Sequence, residues 1–205
     1  MALTKVLTGG IALDAVDNTI LKLDDNYALT GTVTGAGGLQ LLFSQTTAVN
    51  AASIDIDDTY INSTYDSYYV ICNIKPVSDA IQWYLKLKSS GSIVTGSKHC
   101  YDVTNGGNGS LHNTSDFIRM NFSTIGNAVG EGVQCDFFLH SVNSTIYTTR
   151  VGGFWRDTHT DGAMEGGMTS GGFISTEHAL VCNGFNIAAS SGDLDTHSIK
   201  VYGVV

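Results

Sequence analysis

The chain has 205 residues, of which 14% are charged, with 24 Gly, one Pro and a formal charge of −9. That length suits one domain plus an extension and buries a core without covalent staples. The ten scattered Lys and Arg argue against a phosphate-backbone binder, which needs clustered cations. No apolar run is long enough for a membrane-spanning helix, and MALTKVLTGG lacks the apolar stretch of a signal peptide.

Residues 1–38 stand apart from the rest. Their apolar side chains are small or aliphatic, with Ile11, Leu13 and Val16 in a short helical turn and Ile20, Leu21 and Leu23 in a short strand. Gly35 to Gly38 reads as a hinge. The segment is too short for its own core and too apolar for a solvated linker. It therefore packs either on its own domain or on sister copies or a scaffold.

From Leu39 the pattern is β. Leu39–Phe43 and Ser53–Asp57 are expected strands. Between Tyr65 and Lys88, Tyr68, Val70, Cys72 and Ile74 share one face, then Ile81, Trp83, Leu85 and Leu87 share another. With Pro76 and Ser78-Asp79 between them, these runs predict an antiparallel hairpin. Ile93–Thr95, Phe117–Phe122, Val133–His140, Ser144–Trp155, His178–Cys182, Phe185–Ala188 and Ser198–Val204 are further expected strands. The Gly-, Asn- and Ser-rich stretches 104–115 and 157–172 read as loops. About eight to ten strands and no sustained helical period define an all-β chain. The expected architecture is a jelly-roll-like antiparallel β-sandwich over 39–205, preceded by an extended anchoring segment over 1–38.

Few residues point to chemistry. Cys72, Cys100, Cys135 and Cys182 include no CxxC spacing. Three pairings are open to them, although free thiols fit a cytosolic origin. The six histidines include no HExxH, and the weak pairs His99–Cys100 and His178–Cys182 are the nearest approach to a nucleophile and its base. Asp157 to Gly162 resembles the start of a calcium loop, but its twelfth position is Met168 rather than Glu, so a polar turn is expected. Asp55 and Asp57 share an outer strand face, as charges protecting a sheet edge would. No cofactor or metal site is expected. Phe154, Trp155 and Arg156, joined by Tyr101 and Tyr147, form the best candidate recognition patch, since exposed aromatics beside polar groups hold sugars or protein partners. The competing reading ends a strand with Trp155 in the core.

The stretches STYDSYYVICNIKP, WYLKLKSSGS and ISTEHALVCNGFNIAASSGDLDTHSIKVYGVV resemble β-sandwich domains of tail-fibre-like and other virion structural proteins of tailed, often aquatic, bacteriophages. The N-terminal segment GGIALDAVDNTILKLDDNYALTGTVTGAGG resembles the short segment that commonly precedes such domains. The resemblance covers nearly the whole chain but brings no catalytic residue. It implies a non-enzymatic virion protein, a tail fibre, capsid fibre or other appendage subunit. The expected assembly is a homotrimer formed through the N-terminal segment, with other phage virion proteins as partners. The alternatives are a receptor- or host-glycan-binding module and a monomeric capsid decoration protein. A depolymerase is the weakest reading.

Overall fold

The computed structural model describes residues 38–47, 50–105, 108–158 and 162–205. The anchoring positions Ile11, Leu13, Val16, Ile20, Leu21 and Leu23 lie outside them, as do His159 to Asp161 of the calcium-loop-like stretch. Thirteen strands are present among the described residues: β1 (Leu39–Thr47), β2 (Ser53–Ile56), β3 (Tyr68–Pro76), β4 (Trp83–Ser89), β5 (Ser92–Ile93), β6 (His99–Asn105), β7 (Asn108–Ser115), β8 (Ile118–Arg119), β9 (Gly132–His140), β10 (Arg150–Thr158), β11 (Met164–Phe173), β12 (Gly184–Ala189) and β13 (Leu194–Val204). Among the described residues a 3-10 turn at Ser175–Glu177 is the single helical piece. None of the described helices is long and apolar enough to cross a membrane.

Two antiparallel sheets face each other. The larger runs β1-β13-β3-β9-β10-β11-β6-β7, and the smaller runs β2-β12-β4-β5 with β8 also paired to β4. The orders β1-β13-β3-β9 and β2-β12-β4-β8 are those of a jelly roll, in which the chain alternates between sheets. Strands β10, β11, β6 and β7 widen the larger sheet beyond that frame. Both sheets obey the period of two. Tyr68, Val70, Cys72 and Ile74 of β3 point inward with Val133, Cys135, Phe137 and Leu139 of β9 and Ile199 and Val201 of β13. They meet Trp83, Leu85, Leu87, Phe185, Ile187, Ile54 and Ile56 of the smaller sheet. Phe137 and Phe185 cross the sheet interface edge to face, with ring centroids 5.8 Å apart.

Several expected elements change. The expected hairpin of Tyr65–Lys88 is not one: β3 pairs with β13 and β9, whereas β4 pairs with β12 and lies in the other sheet. Both runs have the right alternation, but alternation identifies the buried face and not the neighbouring strand. The apolar faces of β3 and β4 meet across the core instead of side by side. Within 104–115, expected as a loop, Thr104 and Asn105 end β6 and Asn108–Ser115 form the edge strand β7. Backbone pairing there needs no apolar side chains, and Tyr101 stacks on His112 to hold the hairpin (centroids 4.6 Å apart). The expected strand His178–Cys182 is irregular, and Phe117–Phe122 contributes only the two residues of β8.

The Gly-rich stretch 157–172 is the largest correction, because most of it is β11, at the interior of the larger sheet between β10 and β6. Its glycines answer crowding rather than flexibility. A side chain on Gly167 would overlap the Thr104 carbonyl and lie 3.0 Å from the Trp155 ring. One on Gly171 would lie 2.6 Å from the Cys100 carbonyl and 2.9 Å from Ile118 Cγ2. Gly171 thus lets β11 press against β8 of the smaller sheet, where the Thr169 hydroxyl donates to the Arg119 carbonyl (2.6 Å). The larger sheet curls over the edge of the smaller one.

Side chains complete that edge. The Trp83 N–H donates to Asn121 Oδ1 (2.9 Å) and the Leu87 N–H to His99 Nε2 (3.1 Å). Asn121 Nδ2 reaches Asp157 Oδ2 of the larger sheet (3.4 Å). His99 is fully buried, and burial pushes its pKa down from 6.5 to about 4. The neutral ring is required, since Nε2 accepts.

Two outcomes follow. Gly167→Ala should lower unfolding free energy by about 2 kcal/mol or more. Gly152→Ala, on a site with open space around it, should change it by less than about 0.5 kcal/mol. Urea unfolding of both variants checks this. Because the folded-state pKa of His99 lies below the unfolded value, its contribution is complete above pH 6.5 and is lost as pH falls toward 4. The loss should approach about 3 kcal/mol. Stability measured against pH should fall less steeply over that window in His99→Gln than in the parent.

Candidate functional site

The inner face of the larger sheet is covered by the smaller one, while its outer face carries the chain's main exposed features. Register assigns the outward side chains to rows that run across the strands. One row reads Leu41, Tyr202, Tyr69, Phe138, Gly152, Ser170, Asp102 and Leu111 from β1 to β7. The adjacent row holds Ser44, Lys200, Ile71, Asp136, Phe154, Met168 and Thr104. The next holds Thr46, Ser198, Asn73, Gln134, Arg156 and Gly166.

The first two rows hold an apolar band, Leu41, Tyr202, Tyr69, Ile71, Phe138, Phe154 and Met168, interrupted by the charged pair of positions Lys200 and Asp136. Tyr69 stacks on Phe138 (4.6 Å between centroids) and lies beside Tyr202 (6.3 Å). Phe138 in turn stacks on His140 (5.4 Å). Neighbouring rings at this spacing make one ribbon across β13, β3 and β9. Leu41, Phe154 and Met168 are each about half exposed, at 53%, 53% and 55%. The Tyr69 hydroxyl lies 3.5 Å from Asp136 Oδ2. Burial, and then the Asp136 carboxylate, push the Tyr69 pKa up, so it stays a neutral donor.

The third row is polar and lies in a trough of about 530 Å³, whose wall includes Asn73, Gln134, Arg156, Thr158, Met164 and Ser198. Asn73 Nδ2 donates to the Ser198 hydroxyl (3.1 Å). Lys75, also on the wall, is paired with Asp195 (3.0 Å).

The five residues expected to form a recognition patch separate. Phe154 and Arg156 lie on the outer face, in adjacent rows. Trp155, between them, points inward and is 1% exposed, so it belongs to the core and leaves the patch. Tyr101 also faces inward on β6, under His112. Tyr147 is exposed in the β9–β10 connection, away from the sheet rows. Strand alternation is the physical reason: three consecutive residues of β10 cannot share a face. Tyr69, Phe138 and Tyr202 were missed as site residues, although Ser67, Tyr69, Ile71, Asn73 and Lys75 alternate with the core residues of the same run.

Among the described residues, no three His, Cys, Asp or Glu side chains converge on a point that would hold a metal ion. The two weak cysteine–histidine pairs do not form. His99 is committed to Leu87, and His178 Nδ1 contacts the Ser175 carbonyl (3.3 Å). Burial pushes the Cys182 thiol up to about 11 and raises Cys100, while a hydrogen bond with Cys72 and burial raise Cys135. All four cysteines are free thiols, and those three are held in the protonated, weakly nucleophilic form. Asp55 does more than guard an edge: it pairs with Lys88 (2.7 Å) and accepts from Asn186.

Comparison with known proteins found no matching family model, no matching curated protein and no matching solved structure.

Trp155→Ala should cost about 3–5 kcal/mol of stability, as a buried aromatic does. Phe154→Ala should stay within about 0.5 kcal/mol. Denaturant unfolding of the two variants, one residue apart, checks which ring faces the core.

Proposed function

We propose that this chain is a non-enzymatic virion structural protein of a tailed bacteriophage, an appendage or fibre subunit that works as a homotrimer. The observation that carries the reading is the apolar band of Leu41, Tyr202, Tyr69, Phe138, Phe154 and Met168 on the open face of the larger sheet. A sheet face with this many exposed apolar side chains is a surface that another macromolecule covers. Closed symmetry makes a second copy of the same chain the economical cover. The virion setting rests on the sequence resemblance. The jelly-roll frame is compatible with it, since that frame is used by capsid and lectin domains, but a fold alone assigns no function. Residues 1–38 supply the other half of the assembly, through Ile11, Leu13, Val16, Ile20, Leu21 and Leu23.

The test is the solution mass by light scattering. The full chain should be a trimer. Residues 38–205 alone and the full-length Phe138→Asp variant should both shift toward monomer while their circular dichroism matches the parent's. A monomeric full chain at tens of micromolar would overturn the trimer and favour a capsid decoration protein or a stand-alone receptor-binding module.

A further inference from the structure

We infer that the polar trough at one end of the outer face is a binding site for an acidic saccharide, read through one carboxylate by Arg156 and through its hydroxyls by Ser198, Asn73 and Gln134. This site is separate from the apolar band, and the inference does not depend on the assembly reading.

The trough is built by register. Ser198, Asn73, Gln134 and Arg156 are direct cross-strand partners on β13, β3, β9 and β10, so four polar side chains stand in one line. Neighbouring strands are about 4.8 Å apart, close to the length of one pyranose unit in an extended glycan. A hydroxyl, two amides and a guanidinium at that interval offer a donor or acceptor to each successive sugar. Asn73 spends one amide hydrogen on Ser198 (3.1 Å), which fixes both groups and leaves the Asn73 carbonyl and the Ser198 hydroxyl hydrogen for a ligand. The volume of this open trough, about 530 Å³, falls within the usual range for small-ligand sites, about 300–1,000 Å³.

The free guanidinium of Arg156 is what selects an acidic ligand. The wall holds two cations and two carboxylates: Lys75 is neutralised by Asp195, Glu131 accepts from the Ala128 N–H (2.6 Å), and Asp157 is buried, while Arg156 is exposed and has no salt bridge or hydrogen bond to any described residue. Guanidinium binds carboxylate in a two-pronged fork, which gives direction as well as attraction. A single unpaired cation on a chain of net charge −9 reads one carboxylate in place and does not gather polyanions at large. His197, 5% exposed, lies on the wall, and its Nδ1 meets no hydrogen-bond partner. Its side chain has the inward parity of Ile199 and Val201, so it backs the trough from the core side, and burial lowers its pKa. Met164, largely exposed on β11, supplies the apolar wall against which the C–H face of a sugar packs.

The experiment is titration of the full chain by calorimetry and by NMR of the Arg156 Nε–H and the Asn73 and Gln134 side-chain amides. The probes are oligosaccharides bearing glucuronate, galacturonate, mannuronate or sialate, their carboxyl-reduced counterparts, and sodium sulfate. At least one acidic oligosaccharide should bind and shift those three side chains, with its reduced form at least about tenfold weaker. Arg156→Gln should lose the same tenfold without a change in thermal midpoint, because the side chain is exposed and supports nothing else. Gln134→Ala should weaken acidic and reduced forms by the same factor. The inference is overturned if no acidic probe binds, if acidic and reduced forms bind equally, if Arg156→Gln binds as the parent does, or if sulfate displaces the sugar at equal concentration, which would leave a simple anion site.

Discussion

The sandwich depends on how the outer edge of β4 is closed. That strand is central to the core through Trp83, Leu85 and Leu87, yet beyond β12 it has only the two-residue partners β8 and β5. A buried edge with unpaired N–H groups would cost several kcal/mol. Asn121 and His99 supply the missing acceptors to Trp83 and Leu87. Each also ties the smaller sheet to the larger, Asn121 through Asp157 and His99 by its own place on β6. The two sheets are therefore joined by directed polar contacts at one side and by non-directional apolar packing in the middle. Such contacts fix how the sheets sit over each other, which packing alone leaves loosely specified.

Once the inner face is committed, everything the larger sheet offers outward is determined by the same period of two. The strands that bury Cys72, Cys135 and Trp155 present Asn73, Gln134 and Arg156 on the reverse side. Moving two residues along each strand turns a polar row into an apolar one, through Ile71 and Phe154 to Tyr69 and Phe138. The open face thus has two chemically distinct ends on one rigid support. Side chains set on paired strands hold their spacing better than side chains on loops.

Much of the fold was legible in the sequence, and the exceptions have physical causes. Strong alternation marked β3, β4, β9 and β13, because one-sided burial imposes it. The partnership of β3 with β4 was not legible, since both satisfy the same pattern whether they pair edge to edge or face each other across a core. Strand β11 was hidden because its glycines read as turn signals, whereas Gly167 and Gly171 are small to admit the Thr104 and Cys100 carbonyls and the Ile118 side chain. Strand β7 was hidden because a polar edge strand buries nothing. For the site, Phe154 and Arg156 were reachable from composition, but separating them from Trp155 required applying the alternation already recognised in the neighbouring strands. Row register across four strands, which gathers Ser198, Asn73, Gln134 and Arg156, is a long-range property that no local window contains.

The pairing of β1 with β13 sets the order in which the protein can be made. During synthesis β1 and β3 emerge early, but the strand that lies between them in the sheet is the last of the thirteen to be translated. Until it arrives, β3 is paired on its β9 edge only, and until β12 arrives just ahead of it β2 and β4 lack the strand between them. Closure of the two sheets is then a late, long-range event with a high entropic cost of loop closure. A ribosome-bound chain of this topology carries its hydrophobic strands half-paired for most of its elongation. It is therefore most exposed to sticking to its neighbours before β13 is made rather than after.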